Sequence, residues 1–260
     1  MKSQRVLEVD GAPATVDSLR WLALLNYGHS TAMQVRGGAV RGLDLHLQRL
    51  DSATRELFDV PLSSAMVRAR IGSVLRDCGG NATVRVYAYA AEASPGVSML
   101  VMAEPPREPD VQPRALRSVA YQRPAAHLKH IGTFGKLYHE RRAASLGYDS
   151  ILLTSPEGLV SECATTNIGF FDGKCVVWPE GPALRGITMS LLERHFEAHG
   201  FASRLAPVHL KDVAGFQGAF TANSRGVTPV GRVDDVKVPI DSSLMSRLYE
   251  VYDALPWDRI

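Results

Sequence analysis

The sequence predicts an α+β fold in two domains, and three observations carry that expectation. Two stretches with helical apolar spacing precede two strand-like runs in the first hundred or so residues. A proline-rich stretch follows them. Beyond it, short strand-like runs alternate with turn residues and two further helical segments.

Taken in order, residues 5–9 hold Val6, Leu7 and Val9 ahead of Asp10-Gly11, which reads as a strand entering a turn. From Asp44 to Phe58 the apolar Leu47, Leu50, Ala53 and Leu57 recur at helical spacing, with Asp44 as the expected N-cap. Ser63 to Asp77 repeats the pattern through Met66, Ile71 and Leu75, and Gly79-Gly80 stops it. Ala82–Ala90 and Val97–Ala103 then read as strands, completing a small α+β unit over 1–104. Pro105, Pro106, Pro109 and Pro113 stiffen the next stretch and remove donors from it, so 105–113 is the expected linker.

The remaining residues, 114–260, form the expected larger domain. Leu116–Gln122 reads as a strand and Phe134–Leu146 as an amphipathic helix closed by Gly147. Ser150–Thr154, Leu159–Glu162 and Asn167–Phe171 read as strands, with turns at Pro156-Glu157-Gly158 and Asp172-Gly173. A helix from Thr188 to His199 stops at Gly200. Ala219–Thr221 and Val227–Val230 flank a turn around Asn223.

Composition narrows the classes of function. The 260 residues include 45% apolar and 22% charged side chains, the ordinary globular range. Twenty-nine basic against 27 acidic residues leave a formal charge of +2, and no basic block stands out. That argues against a nucleic-acid surface. No apolar run approaches the roughly 20 residues that span a bilayer, so no membrane association is expected. Cys78, Cys163 and Cys175 are odd in number and form no CxxC, so they read as reduced thiols of a cytoplasmic protein without a metal site.

Chemistry concentrates between His127 and Thr188. Lys129 sits where an expected strand end runs into a glycine-containing bend, a place where an amine can be held and still reach a cleft. Such an amine becomes nucleophilic when burial or a nearby cation lowers its proton affinity. Lys136 falls among Glu140, Arg141 and Arg142 on the expected helix and reads as a solvent-facing charge. Glu162 ends an expected strand and is followed by small residues. Gly186-Ile187-Thr188 opens a helix, and the unpaired N–H groups and dipole of a helix start favour a phosphate. Arg49, on the first long helix, could supply a planar fork to the same group. An amine for an aldehyde, an acid for a ring nitrogen and a helix start for a phosphate are what pyridoxal 5′-phosphate asks of a protein.

In this combination the chain resembles the class IV aminotransferases, the fold-type IV pyridoxal-phosphate enzymes, which include branched-chain and D-amino-acid aminotransferases and aminodeoxychorismate lyase. The resemblance is carried by Tyr27-Gly28, His46-Leu47-Gln48-Arg49-Leu50, Lys129, Glu157-Gly158-Leu159-Val160-Ser161-Glu162 with Asn167, Leu184-Arg185-Gly186-Ile187-Thr188, and Val227-Thr228-Pro229-Val230. Glu162 lies 162 − 129 = 33 positions after Lys129, similar to the family's interval.

The resemblance implies a small N-terminal α/β domain and a larger domain with a β-barrel-like core, the cofactor lying between them in a homodimer. Lys129 would condense with the cofactor and move a proton at the substrate's α-carbon. Glu162 would hold the pyridine nitrogen, Leu184 would pack on the ring, and Arg49, Ile187 and Thr188 would bind phosphate. Asn223 and Ser224 stand where the family places a phosphate-side threonine, and Met189 where an arginine often follows. Ala32, in place of an aromatic pocket residue, implies a wider pocket. Tyr27 and Arg85 would face the substrate. Tyr89-Ala90-Ala91 lacks the threonine-arginine-glycine of D-amino-acid aminotransferases. The leading expectation is amino transfer between an amino acid or amine and a keto acid or ketone. The alternatives are 4-amino-4-deoxychorismate lyase, releasing pyruvate, and a cofactor-free interaction protein of the same fold.

Overall fold

The structure, a computed structural model, describes residues 5–90 and 97–260. Residues 91–96, including Ala91 of the Tyr89-Ala90-Ala91 stretch, lie outside them. The fold is α+β, and the chain divides into two compact units. The first takes in the chain to Glu108 together with Leu128–Gly132 and Pro256–Ile260; the second holds Pro109–His127 and Thr133–Leu255. The division thus falls inside the proline-rich stretch, and the segment around Lys129 clusters with the first unit.

In the first unit β1 (Val6–Val9), β2 (Ala12–Pro13), α1 (Val16–Leu25), β3 (Gly28–Val35), β4 (Ala39–Val40), α2 (Leu43–Phe58), α3 (Ser64–Arg76), β5 (Ala82–Ala90) and β6 (Val97–Glu104) follow in order. Its sheet runs β2-β1-β6-β5-β3. The core lies between one sheet face and α2 and α3, where Met33, Val84, Val86 and Val101 meet Leu50 and Ile71. Each such buried side chain contributes roughly 1.5–3 kcal/mol relative to exposure. The α3 boundaries follow the sequence: Ser63 caps it, its hydroxyl accepting from Met66 N at 3.3 Å. The expected cap of α2 is corrected. Asp44 lies inside the first turn, and Gly42, at a left-handed φ of 69°, occupies the cap position without a side chain to offer.

The second unit holds β7 (Arg114–Ala120), α4 (Phe134–Ser145), β8 (Ser150–Thr154), β9 (Val160–Cys163), β10 (Asn167–Phe171), β11 (Cys175–Pro179), α5 (Ile187–Phe196), β12 (Ala202–Ala206), β13 (Gly218–Asn223), β14 (Gly226–Val233), β15 (Val236–Lys237) and α6 (Ser242–Ala254). Among the described residues its strands form one curled sheet in the order β12-β11-β10-β13-β14-β7-β8-β9, with β15 beside β14. Phe170, Val177 and Leu116 fill one core, and Trp178, Phe196 and Phe220 another beneath α5 and α6. The last strand, β16 (Asp258–Arg259), returns to the first unit and pairs with β4. Among the described residues no helix is long and apolar enough to cross a membrane.

Candidate active site

In the first unit, β3 carries the Lys129 segment on its edge. Ser30 N donates to the Lys129 carbonyl at 2.9 Å, Ile131 N donates to Gly28 O at 3.0 Å, and His29 bridges His130. Ser30 faces Tyr87 across β3 and β5, and Ala32 faces Arg85 one pleat further along. Lys129 is half-buried. Nearby, Arg49 sits one turn after His46 on α2. His46 is buried, its Nδ1 2.6 Å from Thr31 Oγ1. Burial, reinforced by the charges of Arg49 and Lys129, lowers the His46 pKa to about 3, which fixes a neutral imidazole beside two cations. Burial lowers the Arg49 pKa as well, to about 10, so it stays charged near neutrality.

Two expected substrate residues have protein partners. The Arg85 guanidinium pairs with the Glu104 carboxylate, which Arg5 also reaches at 3.1 Å. The Arg85 hydrogen bond is the main cause holding the Glu104 pKa below the usual carboxylate range. Tyr27 is exposed, lies edge-on to Phe58, and donates to Leu57 O at 3.3 Å.

In the second unit the remaining residues assemble. Glu162, on β9, is buried, and its two oxygens have separate partners: Arg123 Nε donates to Oε1 at 2.7 Å and Leu184 N to Oε2 at 3.2 Å. Asn167 Nδ2 donates to Leu184 O at 2.7 Å, so Leu184 is clamped by backbone contacts on both sides. Asn167 Oδ1 would lie 1.9 Å from a Cβ at Gly186, which is why only glycine fits before α5. Gly186 caps α5 without a side chain, leaving the first N–H groups of the helix without a capping oxygen. Thr188, expected to bind phosphate, has a backbone partner for its hydroxyl. Thr188 Oγ1 donates to Asn223 O at 2.7 Å, tying the helix start to the β13–β14 turn that holds Ser224. Within that turn Asn223 Oδ1 accepts from Arg225 N at 2.9 Å.

The solvent-facing role expected for Lys136 is overturned. On α4 the inward face is Lys136, Glu140 and the buried Ala143, whereas Phe134, 83% exposed, and Leu137 and Tyr138 look outward. The helix is amphipathic in the opposite sense to its charge pattern. Burial is the main cause lowering the Lys136 pKa; the carboxylates of Glu140 and Glu162 oppose the shift and Arg123 adds to it. Sequence reading thus missed Arg123 and misplaced Lys136. Neither lies in a motif, and a lone arginine in a loop gives no periodic signal.

Within the second unit, Glu162 and the α5 start suit the ring nitrogen and the phosphate of a pyridoxal phosphate. Glu162 is a buried carboxylate, the chemistry that a protonated ring nitrogen asks for. The α5 start is uncapped and held against a second backbone turn. In the first unit, Lys129 lies on the segment that borders β3, and both it and Arg49 act electrostatically on His46.

The fold matches solved structures along nearly its whole length. The branched-chain amino acid aminotransferase of Escherichia coli aligns with a TM-score of 0.85 at 16% identity, covering 98% of this chain and 95% of that one. A provisional 4-amino-4-deoxychorismate lyase from Legionella pneumophila aligns at 0.81 with 20% identity over 90% and 93% of the two chains. The architecture is therefore that of the fold-type IV enzymes. By sequence, 86 residues are 31% identical to a provisional branched-chain-amino-acid aminotransferase from Rickettsia felis. That match spans 33% of this chain and 30% of that protein's length. The amino-transferase class IV model matches residues 28–233, and the chain belongs to that family.

Proposed function

We propose that this protein is a pyridoxal 5′-phosphate-dependent aminotransferase acting on an amino acid or amine and a keto acid or ketone. Family membership supports the reaction class. The observation that carries the reading is the joint assembly of Glu162, Leu184 and the uncapped α5 start through Asn167 and Gly186. When bound, the cofactor supplies a sink for the electron pair left when the substrate's α-proton departs. The residues supply the rest. Lys129 anchors the cofactor by its amine, then takes and returns the proton at the α-carbon. Glu162, oriented in part by Leu184 N, would keep a proton on the ring nitrogen. Leu184 seats the ring. Arg49 and the N–H groups of Ile187 and Thr188 hold the phosphate, with Asn223 and Ser224 lining the same turn. Tyr27 and Arg85 face the substrate, and the functional form is a homodimer.

The lyase is the second reading, favoured by the fold match to the Legionella pneumophila protein. One set of assays separates the two: amino transfer that needs a keto acid supports the transferase, and pyruvate release from aminodeoxychorismate without an acceptor supports the lyase. Purified protein mixed with pyridoxal 5′-phosphate is expected to turn yellow. Lys129→Ala should lose that colour while Lys136→Ala keeps it, and borohydride reduction with peptide mapping should mark Lys129. A colourless parent protein sinks the proposal. An adduct on Lys136 moves the anchoring amine.

A further inference from the structure

Arg123 has no role in the reaction as proposed, yet its guanidinium is held by a buried carboxylate and by a backbone carbonyl. Its Nε donates to Glu162 Oε1 at 2.7 Å, and its terminal nitrogen donates to the Ala126 carbonyl. Both charged side chains are about nine-tenths buried, at 10% and 7% exposure. The loop it grips is unusual: Ala125 has a φ of +42°, a conformation that residues with a side chain seldom take and that surrounding contacts must hold. Residues 122–127 of that loop line a cavity of about 550 Å³ together with residues 181–183, which lead directly to Leu184, the second partner of Glu162. Three residues beyond Ala126 the chain reaches Lys129.

We propose that Arg123 is the positioning residue of Glu162, fixing the direction in which its carboxylate is offered while binding it to the loop that runs into Lys129. A guanidinium suits this task because its planar fork can hold two acceptors in a set geometry, which an ammonium cannot. Among the described residues, Lys136 of α4 and Cys163 of β9 also interact electrostatically with Glu162. The inference rests on the reading of Glu162 as the acid for the ring nitrogen. Arg123 touches no reacting atom itself.

The test compares parent, Arg123→Lys, Glu162→Gln and the double variant, titrating each with pyridoxal 5′-phosphate and recording the absorption of the bound form. Arg123→Lys keeps charge and bulk, so it should fold; it should weaken cofactor binding about tenfold, the scale of one lost charged hydrogen bond, and alter the absorption maximum. Against a Glu162→Gln background the same change should add almost nothing, because Arg123 acts through that carboxylate. Parental affinity and absorption in Arg123→Lys, or full additivity in the double variant, would overturn the inference and leave Arg123 a structural tie. A parent that binds no cofactor overturns the reading of Glu162 and this inference together.

Discussion

Arg85 shows how a charge can be present and still spoken for. Its partner Glu104 is itself largely buried and shared with Arg5, so a substrate carboxylate would compete with a carboxylate already in place. Removing Arg85 is expected to raise KM for carboxylate-bearing substrates about tenfold, and for simple amines by no more than about twofold. Glu104→Gln should act in the opposite direction, lowering KM for the carboxylate substrates by releasing the guanidinium. Steady-state kinetics on both substrate types read this out, and equal effects on the two would remove Arg85 from the substrate side.

The buried histidines of the first unit make a second prediction at the same scale. Burial lowers the His29 pKa to about 4 and, with help from Arg49 and Lys129, that of His46 to about 3. An unfolded chain protonates its histidines near 6.5. Below that pH unfolding takes up protons, so stability falls with falling pH, by up to about 1.4 kcal/mol per unit for each histidine. Above pH 6.5 this contribution is fully present. Melting temperature should therefore decline between pH 6.5 and 4, and His46→Gln, which can still meet Thr31, should flatten the slope. An unchanged slope in that variant would assign the decline to other groups.

At the scale of elements, α2 matters most because it carries both His46 and Arg49, and its start depends on a residue far along the chain. Gly42 brings no capping side chain; instead Asp258 Oδ2 accepts from Leu43 N at 2.9 Å. The acid meets both an orphan donor and the positive end of the helix. Asp258→Ala should cost about 1 kcal/mol, seen as a lower urea midpoint, whereas Asp258→Asn should lose less. Parental stability in the alanine variant would make the contact incidental.

Such a cap could not be read from the sequence, because nothing local links Gly42 to Asp258. Elements with a local signature were readable: α3 from its apolar spacing and Ser63, β5 and β6 from their β-branched runs. Of the elements that were missed, two show opposite reasons. None of α1 is buried, so no core stripe marks it, and only the Thr15–Ser18 capping box betrays its start. β3 buries His29 and Thr31 on its core face, which makes a central element look polar. In the proposed site, the groups assigned to a cofactor could be named from the sequence because chemistry fixes their type and order. Arg123 supports one of them from a loop and was not.

For the whole molecule, the two units are interleaved along the chain. The Lys129 segment leaves the second unit's sequence to join β3, and Pro256–Ile260 returns after the entire second unit to close β4 and cap α2. Neither excursion has a compositional marker, since five residues are too few to show periodicity. A chain emerging from the ribosome tends to fold one domain after another in order of synthesis. Here the first-made unit stays unfinished until the amino acids numbered from 256 onward have appeared. The helix that bears Arg49 would thus wait, partly open, through translation of everything between, exposed to chaperones and proteases for that interval.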